Sequence, residues 1–275
     1  MTTPYAEVIG DPIAHSKSPL IHGFWLEALG IAGDYRAERV VADDLGRFFA
    51  ARAEDPDWRG CNVTVPHKVA ALDHVPDPGG VRGSIGAANT VFRDESGKLA
   101  ATNTDAAGFL SPIADLDLAG APVTVIGAGG AARAVLFALS KVGVGRVTLL
   151  NRTPLKGAAL LAGFGLKGDA LPLEARLRPD TALLVNTSAL GMAGQPPLTL
   201  DLDPLPDDAI VYDIVYAPLE TPLLAAARAR DLDTIDGLEM LVGQAAVAFE
   251  IFFGAAPPRD RDEDLRELLV GERTC

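Results

Sequence analysis

The stretch Val123-Thr124-Val125-Ile126-Gly127-Ala128-Gly129-Gly130-Ala131-Ala132 decides the fold. Four residues of strand character break into glycines, and a helical run over Ala131–Val142 follows at once. A second strand, Arg146–Leu150, ends on Asn151-Arg152-Thr153. Strand, glycine turn, helix and strand within about thirty residues form a βαβ unit, the setting in which G-x-G-x-x-G/A reads as a dinucleotide site. The glycines permit a tight turn and let the backbone approach a pyrophosphate, whose charge is favoured at the positive end of the new helix.

The end of the second strand refines that expectation. A site for NAD places an Asp or Glu there to hold the ribose 2′-hydroxyl. This chain has Asn151 instead, followed by Arg152 and Thr153, with Lys156 close behind. A guanidinium grips phosphate in a bidentate fork, and a hydroxyl adds a donor. The expected cofactor is therefore NADP.

At 275 residues the chain is long enough for two cores, and 48% hydrophobic residues suit a folded globular protein. A net charge of −13 leaves no basic footprint for nucleic acid. An anionic cofactor then depends on local positive charge, which gives Arg152 and Lys156 added weight. The cysteines, Cys61 and Cys275, offer neither a disulfide framework nor metal spacing, and no metal is expected. Scarce cysteine suits a reducing compartment. The start, Met1-Thr2-Thr3-Pro4-Tyr5, lacks the features of a signal peptide. The apolar stretch Met240–Phe253 is interrupted by Gln244 and Glu250 and reads as a packed helix, not a membrane span. A cytoplasmic protein without membrane association is expected.

Along the chain, strands are expected at Ala6–Gly10, Tyr35–Val41 and Cys61–Val65, with a strand pair at Ala87–Arg93 and Lys98–Asn103 around the turn Asp94–Gly97. Helices are expected from Ser18 (cap) and Pro19 to Leu29, ended by Gly30, at Leu45–Ala53, from about Lys68, and at Ala106–Leu116. Further strands fall at Leu183–Asn186, Ala209–Asp213 and Asp233–Ile235. A helix includes Ala225–Ala229, and a long one starts at Gly237. The segment Gln195–Asp208 reads as a surface loop and Arg259–Arg273 as a charged tail. Alternating strands and helices imply an α/β fold with open, mostly parallel sheets, whose ligands lie beyond the carboxyl ends of the strands.

Four polar loops in the first half supply hydroxyls, amides, an ammonium and a carboxylate. They are Ile13–Pro19, Asn62–Lys68, Ala88-Asn89-Thr90 and Asn103-Thr104-Asp105. Such a set suits a polyhydroxylated small molecule, because the wrong ligand leaves buried polar groups unpaired. These motifs resemble those of the shikimate dehydrogenase family. The chain carries PIAHSKSP at 12–19, NVTVPxK at 62–68, GAxNT at 86–90, NTD at 103–105, GAGGAAR at 127–133, NRT at 151–153 and MLVxQA at 240–245, in order over nearly its whole length.

The resemblance implies NADP-dependent, reversible reduction of 3-dehydroshikimate to shikimate, on the route to chorismate and the aromatic amino acids. It places a catalytic pair at Lys68 and Asp105. Substrate contacts fall on Ser16, Ser18, Thr64, Asn89, Tyr216 and Gln244. The pyrophosphate loop falls on Gly127, Ala128, Gly129, Gly130 and Ala131, the adenosine-phosphate clasp on Asn151, Arg152 and Thr153, and the nicotinamide side on Met192 and Gly237. It implies a substrate domain of residues 1–104 and 238–275, a Rossmann-type NADP domain of residues 105–237 with an active-site cleft between them, and a monomer or homodimer.

The chemistry agrees with the pairing. Ketone reduction needs a proton on oxygen, which a lysine ammonium can donate and a neutral amine can take back. Two cysteines cannot build a zinc alcohol-dehydrogenase site, and no Tyr-x-x-x-Lys pair follows the glycine fingerprint. The chain departs from the family pattern at Ala106, where NTDGxG has glycine, at Ala88 of GAVNT, at Val69-Ala70-Ala71 after Lys68, and at Glu239.

Overall fold

Two sheets, each built from its own set of strands, organise residues 3–271, which the computed structural model describes. One compact unit holds the residues up to Thr104 together with those from Gln244 onward; the other is Asp105–Gly243.

The first unit runs β1 (Tyr5–Gly10), α1 (Ser18–Leu29), β2 (Asp34–Arg39), α2 (Leu45–Ala53), β3 (Trp58–Val63), α3 (Val81–Ser84), β4 (Thr90–Arg93) and β5 (Leu99–Thr102). Its sheet has the order β2-β1-β3-β4-β5. β1 is parallel to both neighbours, and the β4–β5 hairpin adds an antiparallel edge. Every residue of β1 is buried, Glu7 included. That carboxylate is held by Arg52 Nε at 2.7 Å and Trp58 Nε1 at 2.7 Å, which satisfies a charge otherwise costly to bury.

Two local expectations fail here. Ser18 is the first residue of α1, not its cap, and the backbone is already helical at Lys17. The Ser18 side chain is buried, and it is Ser16 Oγ that accepts from the Ser18 N–H at 3.3 Å. No α-helix starts at Lys68; only a 3-10 turn forms, at Ala70–Asp73. The Lys68 carbonyl is taken by Ala88 N–H at 2.7 Å, so it cannot serve a helical ladder.

The second unit runs α4 (Asp105–Leu110), β6 (Val123–Ile126), α5 (Gly130–Val142), β7 (Arg146–Leu150), α6 (Pro154–Gly163), β8 (Lys167–Leu171), β9 (Leu183–Asn186), β10 (Ile210–Asp213), α7 (Pro222–Arg228), β11 (Asp233–Ile235) and the start of α8 (Gly237–Phe253). Its sheet is parallel throughout, in the order β11-β10-β9-β6-β7-β8. This is the doubly wound arrangement, with the order reversing between β6 and β9. α4 stops short of the expected Leu116 because Pro112 disfavours helix at Ser111 and donates no N–H. The segment expected as a surface loop turns Leu198, Leu202 and Leu205 into the core, against Ile126, Leu184 and Val211.

The later part of α8 returns to the first unit, where Ala248 and Phe252 share a core with Ala6, Val8, Ile13 and Tyr35. The charged tail forms α9 (Asp262–Gly271), which buries Leu265 and Leu269. Lys17 Nζ donates to the Leu269 carbonyl at 2.7 Å, a cation placed on the last turn of that helix. Cys275 lies outside the described residues.

Candidate functional site

In the first unit, the loops after β1 and β3 and the ends of β4 and β5 carry the polar residues singled out by sequence. Thr64 and Lys68 are half-buried beyond β3. Their loop is pinned by His67 Nε2 at 2.6 Å from the Val40 carbonyl and by the Lys68–Ala88 backbone bond. That bond ties the lysine segment to the residue preceding Asn89. Ser16 is half-buried and Ser18 buried at the start of α1.

Asn89, Thr104 and Gln244 meet in one buried cluster. Asn89 Oδ1 accepts from Thr104 N–H at 2.7 Å and from Thr90 Oγ1 at 3.0 Å. Asn89 Nδ2 donates to Thr104 Oγ1 at 2.9 Å and lies 3.4 Å from Gln244 Oε1. The amide is therefore turned one way, with its oxygen facing the protein. Sequence reasoning left Tyr35 out of the site and placed Asn62, Thr90 and Thr104 in its polar loops without giving them roles of their own. A tyrosine in the mainly exposed strand DYRAER and an asparagine inside a buried strand were the available signals.

In the second unit, Gly127 follows β6 with φ +103°, and a Cβ there would lie 2.9 Å from Thr187 Oγ1. Glycine is required on both counts. A Cβ on Gly129 would meet nothing within 4 Å, so the backbone faces open space. No side chain caps the N-terminus of α5. Bare backbone donors at the positive end of a 13-residue helix, with room beside them, fit a pyrophosphate. At the end of β7, Asn151 Nδ2 closes the loop on the Thr153 carbonyl at 2.9 Å. Arg152, Thr153 and Lys156 are exposed, and Arg152 has no ion pair among the described residues. This donor set fits a 2′-phosphate.

Met192, Tyr216 and Gly237 gather near the end of β10. Ala193 N–H donates to the Ala217 carbonyl at 2.7 Å, joining the Met192 and Tyr216 loops. Burial pushes the Tyr216 phenol above its usual range. A side chain on Gly237 would collide with the carbonyls of Ile214 and Val215. Beneath them the buried carboxylate of Asp213 accepts from Asn186 Nδ2 at 2.8 Å, Val215 N–H at 3.0 Å and Thr221 Oγ1 at 2.7 Å. Burial raises the Asp213 carboxyl, opposed by those three hydrogen bonds. Asp105 is buried as the first residue of α4. Among the described residues no group of three His, Cys, Asp or Glu side chains is placed to hold a metal ion, and no helix is long and apolar enough to cross a membrane.

Family models describe residues 8–91 as a shikimate dehydrogenase substrate binding domain and residues 237–264 as a shikimate 5′-dehydrogenase C-terminal domain. A shikimate dehydrogenase (NADP(+)) of Sphingopyxis alaskensis is 68% identical over 268 residues, covering 98% of this chain and 97% of the relative. Among solved structures, shikimate 5-dehydrogenase from Thermus thermophilus, in complex with NADP(H) and shikimate, matches with a TM-score of 0.83 at 38% identity, over 97% and 99% of the two chains. The ligand-free 5-ketofructose reductase of a Gluconobacter strain matches with a TM-score of 0.86 at 29% identity, over 98% and 99%. The chain belongs to the shikimate dehydrogenase family.

Proposed function

We propose that this chain catalyses the reversible NADPH-dependent reduction of 3-dehydroshikimate to shikimate, within the biosynthesis of chorismate and the aromatic amino acids. The observation that carries the reading is 68% identity to a dehydrogenase of that name across 98% of the chain. The buried amide and hydroxyl cluster of Asn89, Thr104 and Gln244 supports a polyhydroxylated substrate. Residues 1–104 and 238–275 form the substrate domain in this reading, and residues 105–237 the NADP domain. The enzyme works as a monomer or homodimer in the cytoplasm.

Bound NADPH supplies the hydride. Lys68 and Asp105 are the catalytic pair: the lysine ammonium gives its proton to the carbonyl oxygen, and the aspartate orients the amine. In the oxidative direction the neutral amine takes the proton back. Ser16, Ser18, Thr64, Asn89, Tyr216 and Gln244 hold the substrate. Gly127, Ala128, Gly129, Gly130 and Ala131 receive the pyrophosphate, and Met192 and Gly237 line the nicotinamide side. Asn151, Arg152 and Thr153 hold the adenosine phosphate, with the Arg152 fork on its 2′-phosphate.

The test crosses shikimate or quinate with NADP or NAD and follows reduced-nicotinamide absorbance. Fast turnover only with shikimate and NADP is expected. Comparable turnover of quinate, or a preference for NAD, overturns the assignment in favour of a broader dehydrogenase. Binding without turnover in all four combinations makes the chain a sensor.

A further inference from the structure

A run of side-chain hydrogen bonds links β2, β3 and β4 of the first unit to the Asn89 amide. Tyr35 Oη donates to Asn62 Oδ1 at 2.6 Å. Asn62 Nδ2 donates to Thr90 Oγ1 at 3.1 Å and lies 3.3 Å from the Asn89 carbonyl. Thr90 Oγ1 donates to Asn89 Oδ1, and Asn89 Nδ2 donates onward to Thr104. From Tyr35 to Asn89 the donors point the same way, Thr104 Oγ1 also lies 3.3 Å from Asn89 Oδ1, and Tyr35, Asn62, Thr90, Asn89 and Thr104 are all buried. The Tyr35 ring is fixed independently, stacked on His22 with centroids 3.9 Å apart and planes 7° from parallel.

We infer that Tyr35, through Asn62, and Thr90, directly, are positioning residues for the substrate, holding the Asn89 amide in one orientation with its oxygen on the Thr90 hydroxyl and the Thr104 N–H. The inference rests on the reading of Asn89 as a substrate contact. The direction of the run follows from chemistry. A phenol facing a side-chain carbonyl must donate, which commits the Asn62 amino group to Thr90. The threonine hydroxyl, having accepted, donates to Asn89 Oδ1. Thr104 N–H occupies the same oxygen, so a flipped Asn89 would set an amino group against a backbone donor.

The variants Tyr35→Phe and Thr90→Val each interrupt the run while keeping the shape of the side chain. Either is expected to lower kcat/KM for shikimate on the order of 10-fold, with KM for NADP unchanged. Asn89→Ala is the reference, and the decisive measurement is the double variant Tyr35→Phe/Asn89→Ala. If Tyr35 acts through Asn89, the double variant is no worse than Asn89→Ala alone. Multiplying losses overturn the inference. Tyr5→Phe is the control, since it removes another phenol-to-side-chain hydrogen bond of the same unit, to Asp55, and should leave kcat/KM unchanged. A loss in Tyr5→Phe equal to that in Tyr35→Phe means a structural role and also overturns it. An Asn89→Ala enzyme with full activity instead breaks the underlying assignment of Asn89 to the substrate.

Discussion

The two units handle polar groups in opposite ways. The first buries side chains against one another: Glu7 with Arg52 and Trp58, and the run from Tyr35 to Asn89. The second offers backbone donors at an uncapped helix start and exposed side chains at Arg152 and Lys156. Its buried carboxylate, Asp213, braces loops from beneath. The contrast matches two recognition problems. A compact molecule with several hydroxyls is selected by buried groups of fixed polarity, since each mismatch leaves one unpaired. A long dinucleotide is held by repeated backbone and charge contacts along its length.

Four experiments test the contrast. The largest effect is expected for Lys68→Ala, with kcat reduced on the order of 10²–10⁴-fold and little change in substrate binding. Unchanged kcat in steady-state assays removes Lys68 from the chemistry. Next, Glu7→Ala should cost about 3 kcal/mol in urea unfolding, the lower end for a broken buried pair because Arg52 retains some solvent. NADP affinity should not move, and a parallel loss would mean the units are not energetically separate. Arg152→Ala should do the reverse. NADP affinity should fall roughly 10- to 100-fold and NAD affinity hardly at all, while unfolding stays as it was. Added salt should shrink that gap, because the site is exposed.

The smallest effect is one of pH. Burial lowers the His22 pKa from 6.5 to about 3, with neither ring nitrogen hydrogen-bonded to another group. Between those values the unfolded chain binds the proton and the folded one does not. Stability from this group is therefore full above pH ~6.5 and lost as pH falls toward 3, by at most about 1.4 kcal/mol per pH unit. Urea titrations at pH 7 and pH 5 should show that slope, and His22→Leu should flatten it.

The sequence carried the second unit's ligand cradle openly, because backbone recognition leaves a glycine pattern. The strand and helix around Gly127 fall where the fingerprint puts them. The first unit's network was harder to read, since a buried Asn or Tyr looks like any other until the strands bring it into register. Asn62 and Thr90 are partners only because β3 and β4 pair antiparallel at that position. α6 and β8 were not anticipated; β8, with Lys-Gly-Asp-Ala-Leu, has weak strand propensity and exists as an edge strand paired to β7. α9 hid in a charged run, although Leu265 and Leu269 sit four apart on one face. The failed helix after Lys68 was decided by a distant partner, Ala88, which no local pattern reveals.

The shared core of Ala6, Val8, Tyr35, Ala248 and Phe252 has a consequence for synthesis on the ribosome. The first five strands are translated before the second unit, yet part of the surface they must bury belongs to residues of α8 translated after it. The second unit lies wholly between and can complete its sheet before the first closes. Folding order is therefore expected to reverse the order of translation. The nascent amino-terminal segment then holds apolar surface exposed until Ala248 and Phe252 arrive to cover it.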